Sequence, residues 1–425
     1  MNNKVFSLSH SLSQQEGRSF SSSISFLLSK SNSGSLQDKG SSPPLWVGVG
    51  VFFLFLLLFL SCQNKGHKAN QAIISAAIAR SDSVFFAKGF QIETFENYTV
   101  ATVRNPWDNR LVLQRYVLVS KSDALPESLP EGVLIRTPLA RTVCYGSVQC
   151  GFFAEFDALN TVVGVCEPQY INIPFINEKV QNGKIVNLGQ AANPDLEKII
   201  LIEPEALFTA PIENSGYGQT AKLKIPFIEC VDYMETTLLG RAEWIRFLAL
   251  FFEKREVADS LFKETVGRYN ELLRLTENVG NRPSVFAETV YSGIWYQPGG
   301  KSYIAQLFRD AGADYLWKED TNSGSIGLTF ESVLEKAEKA DFWLIKYNNV
   351  YDMTYRNLVL EYSNYALFDA YKKRNIYICN MGKVPYYEEL PIHPDLLLKD
   401  MVRIFSSGTV AGLSTKVLQK NGIKI

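Results

Sequence analysis

The most continuous apolar stretch in the chain runs from Leu45 to Leu60 and stops abruptly at Ser61-Cys62. It is somewhat short for a comfortable membrane span, which needs roughly 18–20 residues. Residues 1–44 before it are polar, Ser-rich and without apolar periodicity, which predicts a disordered extension or sequence lying ahead of the true start. Residues 63–88 begin with the polar Gln63-Asn64-Lys65-Gly66-His67-Lys68, as a tether does, and carry only a weak helical pattern after it.

From Gly89 the pattern changes to period two. Phe90 to Phe95 alternates apolar and polar, Tyr98 to Val103 is β-branched, and Glu96-Asn97 between them predicts a hairpin. Tyr116 to Val119 predicts a further strand. Short apolar strands then alternate with helical spacing. Strands are expected at Arg141–Tyr145, Val162–Val165, Ala206–Phe208 and Ile225–Ile228, and helices at Gly151–Leu159 and Asp195–Ile202. Arg241 to Thr276 has no Pro and one Gly, with apolar residues mostly three or four apart. That predicts one long helix, or two with a break near Glu253-Lys254-Arg255. Unbroken, it would extend on the order of 50 Å at about 1.5 Å per residue, enough to brace two lobes. The alternation resumes beyond Pro283, with strands at Ser284–Val290, Phe342–Ile345 and Asn375–Cys379. Helices are expected at Ser302–Ala311, Phe330–Ala340 and His393–Ile404. The order is an α/β lobe over 89–236, a linker helix over 237–280, a second α/β lobe over 281–405 and a tail over 406–425.

Composition narrows the chemistry. With 43 Lys plus Arg against 44 Asp plus Glu, the net charge of -1 offers no overall attraction to nucleic acid. Only three His occur, two of them in segments outside the expected lobes, which argues against a His-rich metal site and against nucleophile–His catalysis. The six Cys include no CxxC pair. Pro298-Gly299-Gly300-Lys301-Ser302 lies between a strand and a helix, but Trp295 stands where a phosphate loop needs its first Gly, so Ser302 is expected to cap the helix. Cys150 lacks a base, and the adjacent Glu388-Glu389 is expected to face solvent rather than act as a glycosidase pair.

Four stretches carry a family resemblance. They are Arg141–Ser147 with Ala158–Val165; Asn193–Ile199 through Glu203–Phe208; Leu239–Trp244; and Trp295–Tyr303 with Asp310–Tyr315. In this order they resemble the helix-linked class III periplasmic substrate-binding proteins of ABC importers for ferric siderophores, haem and cobalamin, over roughly residues 89–405. The segment 45–62 resembles a lipoprotein signal with Cys62 as the lipidated residue, although Phe59 and Leu60 depart from the strict motif; the alternative is a single N-terminal transmembrane helix. The tail after Ile404 departs from the family pattern.

The resemblance implies an α/β protein of two Rossmann-like lobes joined by one long helix, with a ligand cleft between the lobes. It implies no catalytic role and no cofactor. The partners it implies are a metal-chelate ligand, an ABC permease and a membrane reached through the lipid anchor, on the periplasmic face of a bacterial membrane. A tethered capture or sensing module without a transport partner is the second reading. Loops after strands face such a cleft. Tyr145, Ser147 and Gln149 are therefore expected to contact ligand from the first lobe and Trp295 and Tyr296 from the second, their rings stacking on a bulky chelate. Arg141 and Lys346 would neutralise an anionic one. Against this, Tyr145 and Trp295 would serve equally as packing between lobes, and the two cations as ordinary strand-end charges.

Overall fold

The period-two segment beyond Gly89 folds as expected, and more strand joins it. In the computed structural model β1 (Ile78–Asp82), β2 (Phe90–Phe95), β3 (Thr99–Arg104), β4 (Val112–Ser120) and β5 (Val133–Thr137) lie side by side in sequence order. All neighbours are antiparallel except β4 and β5. The β2–β3 hairpin pairs Phe90 with Val103 and Thr94 with Thr99. The structure describes residues 78–108, 110–277, 280–406 and 419–420. The expectations placed on residues 1–44, on the apolar segment 45–62 with Cys62, on 63–77 and on most of the tail lie outside them. Among the described residues, no helix is long and apolar enough to cross a membrane.

The first α/β unit contains β6 (Thr142–Cys144), β7 (Val162–Val165), β8 (Val186–Asn187), the short pair β9 (Gly189–Gln190) and β10 (Asn193–Pro194), then β11 (Ala206–Thr209) and β12 (Phe227–Glu229). Its helices are α1 (Ser147–Glu155), α2 (Pro174–Gln181) and α3 (Leu196–Ile202). The main sheet is parallel with order β12-β11-β6-β7-β8. The chain therefore runs one way across the sheet from β6 and then returns to its other side at β11, the doubly wound arrangement of a Rossmann fold.

Two helices, α4 (Leu238–Leu250) and α5 (Arg255–Thr276), lead to the second unit. There β13 (Ser284–Ala287) is followed by β14 (Val290–Tyr291) and β15 (Ile294–Pro298), α6 (Tyr303–Asp310), β16 (Asp314–Tyr315), β17 (Ser325–Leu328) and α7 (Phe330–Ala337). Then come β18 (Phe342–Tyr347), α8 (Tyr355–Glu361), α9 (Asp369–Lys372), β19 (Ile376–Asn380), α10 (Tyr386–Glu389), α11 (Pro394–Phe405) and β20 (Gln419–Lys420). The sheet order is β16-β13-β18-β19-β20, parallel but for β20, which brings two tail residues against the β19 edge. A separate antiparallel sheet of β14, β15 and β17 packs beside it. Ser302 caps α6 as expected, its Oγ accepting from the Ala305 amide at 3.1 Å.

The linker is two helices rather than one. After Leu250 the Glu253 amide donates to Leu250 O (3.3 Å) and the Lys254 amide to Ala249 O (3.0 Å), with Glu253 left-handed at φ 56°. That is the Schellman stop, made here with Glu where Gly is usual. The stop is tied to the first lobe: Thr137 Oγ1 donates to Glu253 Oε1 (3.0 Å) and the Leu139 amide to Phe251 O (2.8 Å). Arg246 on α4 reaches back to Asp259 on α5 at 2.6 Å. Thirteen residues apart, the two would lie about 20 Å from each other on a straight helix, so the linker turns sharply.

The linker still braces both lobes. On α4 Leu238 and Leu239 join the core of the second lobe, whereas Trp244, Phe247 and Phe251 just beyond join the first, under Phe90 and Tyr116. On α5 Ala258 and Phe262 belong to the first core and Tyr269 to the second. Helix α4 is buried nearly all round, as a helix between layers must be, while α5 buries a single stripe.

Candidate functional site

In a doubly wound sheet the strand order reverses at one gap, and loops leaving the C-terminal strand ends on either side of that gap diverge to leave a crevice. In the first lobe the gap lies between β6 and β11. The residues that follow β6 are Tyr145, Gly146 and Ser147. In the second lobe it lies between β13 and β18, whose ends carry Glu288 and Lys346.

On the first-lobe side, Tyr145 is buried, and burial pushes its phenol up to about 12. Ser147 and Gln149 are buried too, on the first turn of α1 rather than on a loop. Behind them Glu229 is buried under Tyr217, whose hydroxyl donates to its carboxylate and whose ring stacks 3.8 Å from Phe227. Asp232, just past β12, pairs with Arg241 of α4 at 3.0 Å. Burial outweighs that partner and lifts the Asp232 carboxyl above its usual range.

Lys346 and Glu288 form the centre of the second-lobe side. Nζ lies 2.9 Å from Glu288 Oε1, with the side chains 31% and 21% exposed. Burial works against the ammonium, but Glu288, and after it Tyr386, Tyr387 and Tyr303, more than offset this and hold it well above the ordinary lysine value. Nζ stands 5.7 Å from the centre of the Tyr386 ring, and the Arg241 guanidinium 4.8 Å from that of Tyr303. Cations of the linker and of the second lobe thus meet at one group of tyrosines. Burial raises the Tyr386 and Tyr387 phenols, so both stay neutral hydroxyls near neutral pH.

The lobes touch directly where α10 lies on α1. Gly151 permits the approach, because a Cβ there would overlap the Glu388 backbone. Glu388 Oε1 accepts from the Asn172 amide at 2.8 Å, and its buried carboxyl is raised by burial more than that bond lowers it. His393 Nε2 lies 2.9 Å from Glu155. The expectation that Glu388 faces solvent is therefore corrected: it is a contact between lobes. Replacing Gly151 by Leu should lift α10 from α1 at about 1–3 kcal/mol, the usual cost of overpacking. Amide exchange across residues 386–393 should then speed up about tenfold or more. Unchanged exchange there would mean that the contact is not needed to hold α10.

The expected contact residues divide three ways. Tyr145, Ser147, Gln149 and Lys346 all stand at or just behind the strand ends that border the crevice. Arg141 does not: it precedes β6, and its Nη2 donates to Ile202 O at 2.5 Å, closing the end of α3. A residue at the start of a parallel strand lies at the sheet edge opposite the crevice, so Arg141 is far from it. Trp295 is not on a loop. It sits within β15, fully buried among Phe286, Phe330, Trp343, Tyr365 and Phe368, with Nε1 donating to Ala287 O at 2.9 Å. It is core, because the segment adds a strand to the small sheet and alternate residues of a strand face opposite ways. Tyr296 accordingly points the other way, half-buried beside Gly327. Glu288, Arg241, Asp232, Tyr303, Tyr386 and Tyr387 were not foreseen. The order reversal flags Glu288, which immediately follows a strand, but nothing local marks the others.

Comparison with known proteins places this arrangement. The chain is 24% identical over 331 residues to an uncharacterized lipoprotein of Methanocaldococcus jannaschii, covering 73% of this chain and 77% of that one. A second lipoprotein of the same organism is 25% identical over 275 residues, covering 62% and 69%. Among solved structures, a periplasmic haem-binding protein from Pseudomonas aeruginosa superposes with a TM-score of 0.52 at 13% identity, over 68% of this chain and 99% of that one. A periplasmic binding protein from Veillonella parvula gives 0.53 at 13%, over 65% and 94%. At such identities these two structures bear on the fold alone. The model of one family, the periplasmic binding proteins, matches residues 166–381. That is just over half of the 425 residues, and the chain, a binding protein rather than an enzyme, belongs to the periplasmic binding protein family.

Proposed function

We propose that this protein is the lipid-anchored receptor of an importer. It takes a metal chelate of the ferric siderophore, haem or cobalamin class into the crevice between its lobes and presents it to an ABC permease, with Cys62 carrying the lipid. The observation that carries this reading is the convergence of Lys346, Arg241, Tyr303, Tyr386 and Tyr387 at the strand ends where two doubly wound sheets adjoin. A ligand held there lies against α10, which packs on α1 of the first lobe, so a permease that reads the lobes together distinguishes loaded from empty receptor. Tyrosine rings offer apolar faces and hydroxyl donors to a bulky chelate. The lipoprotein relatives support the anchor.

The direct test is titration of the full chain, in detergent, with a ferric siderophore, haem and cobalamin, following tryptophan fluorescence. At least one should quench with a Kd of about 1 μM or tighter, corresponding to about 8 kcal/mol. Replacing Tyr303 and Tyr387, the half-buried rings of the group, together by Ala should weaken that binding about tenfold or more, since each stacked ring contributes roughly 0.5–1.5 kcal/mol beyond its buried area. Binding of none of the three would defeat the reading.

A further inference from the structure

The charges around the crevice say what kind of chelate it takes, given the reading of it as a chelate site. Lys346, part-exposed at the strand ends, is already committed to Glu288 at 2.9 Å. The two come from the C-terminal ends of neighbouring parallel strands, β18 and β13, which brings their side chains within reach of each other. Arg241 is committed to Asp232 at 3.0 Å and is buried. Lys383, just beyond β19, is committed to Asp352 at 2.8 Å. Glu388 adds a carboxyl with no cation among its contacts. Three cations at the crevice thus face three partner carboxylates and a fourth acid.

An anionic ligand could use Lys346 only by drawing it from Glu288. That would leave a half-buried carboxylate without its partner, and breaking such a pair on one side costs far more than the pair contributes when intact. A ligand of no net charge leaves the pair in place and takes hydrogen bonds from tyrosine hydroxyls at the edge of the group. We infer that the crevice is built for an uncharged chelate, in which the metal is neutralised by the ligand's own donor groups, and that the Lys346–Glu288 pair excludes polyanionic ones.

Two ferric complexes of similar size separate these cases. In a trihydroxamate the three donor groups cancel the charge of ferric iron; in a tricatecholate they leave the complex trianionic. Each is titrated into the full chain at physiological and at high salt. The trihydroxamate should bind about tenfold tighter or more, and its affinity should change little with salt, because no net charge is being screened. Glu288→Gln keeps the side chain's size and releases Lys346, so the ratio of affinities should move about tenfold toward the tricatecholate. The wild-type ratio and its salt dependence test the inference whether or not that variant folds. A tricatecholate that binds the wild-type chain as tightly as the trihydroxamate overturns the inference and leaves the chelate reading standing. If neither complex binds and haem and cobalamin also fail, both fall together.

Discussion

Trp295→Ala is expected to lower stability by about 3–5 kcal/mol, the range for a large aromatic removed from a core. Five aromatic rings surround the indole with centroids between 5.5 and 6.0 Å away, two of them, Phe286 and Trp343, fixed on neighbouring strands of the parallel sheet. Ala287 O would also lose the indole N–H, keeping the Gln297 side-chain amide as its remaining side-chain donor. Urea denaturation should show a lower midpoint, with Trp295→Phe intermediate because it refills part of the volume and none of the hydrogen bond. Ligand affinity of the molecules that remain folded should be preserved. The opposite pattern, lost affinity at unchanged stability, would return Trp295 to the ligand site and contradict its place in β15.

The second large effect is expected at Glu243, which is fully buried on α4. Its carboxylate accepts from three successive amides, Phe85 (3.0 Å), Phe86 (2.7 Å) and Ala87 (2.9 Å), and pairs with Arg246 at 2.9 Å. Glu235 takes the next two, Lys88 and Gly89, and the Trp244 indole. Five backbone donors that β1 and β2 leave unpaired are satisfied by two side chains about 150 residues away. Arg246 also holds Asp259 and the carbonyl of Ser83, so the same network sets the bend between α4 and α5. Glu243→Ala would strand the donors and the guanidinium together, at about 3–5 kcal/mol. Glu243→Gln keeps an acceptor and should cost about 1–3 kcal/mol. Equilibrium unfolding measures both, and limited proteolysis should open first at residues 83–89 in the Ala variant. An Ala variant as stable as wild type would show that water replaces the carboxylate at no cost.

Neither effect is visible from residue spacing. A carboxylate in a buried helix reads as an ordinary charge until the segment it receives is known, and that segment lies far upstream. Trp295 follows a predicted strand and precedes a predicted helix, which reads as a loop. Its strand, Ile294–Pro298, is only five residues long and reads Ile-Trp-Tyr-Gln-Pro, with no alternation to recognise.

What the sequence determined by itself were the features that depend on near neighbours. Period-two patterning placed the β2–β3 hairpin, three- and four-residue spacing placed the buried stripe of α5, the alternation of short apolar strands with helices implied parallel sheets, and four stretches of sequence carried the family resemblance. Ser302 capped its helix because a cap needs only the three residues after it. The tertiary structure decided the rest. Spacing left open one linker helix or two with a break near Glu253, and the break is made because contacts with Thr137 and Leu139 hold a left-handed Glu that local propensity disfavours. Arg141 and Lys346 are alike as charges beside strands, yet one closes a helix and the other borders the crevice, because they stand at opposite ends of parallel strands. Lys346 is paired with Glu288, 58 residues away in the chain, and the group of tyrosines forms from α6 and α10 only once the second lobe is folded. Such pairings depend on which strand ends become neighbours, a property of sheet order that no local stretch of sequence contains.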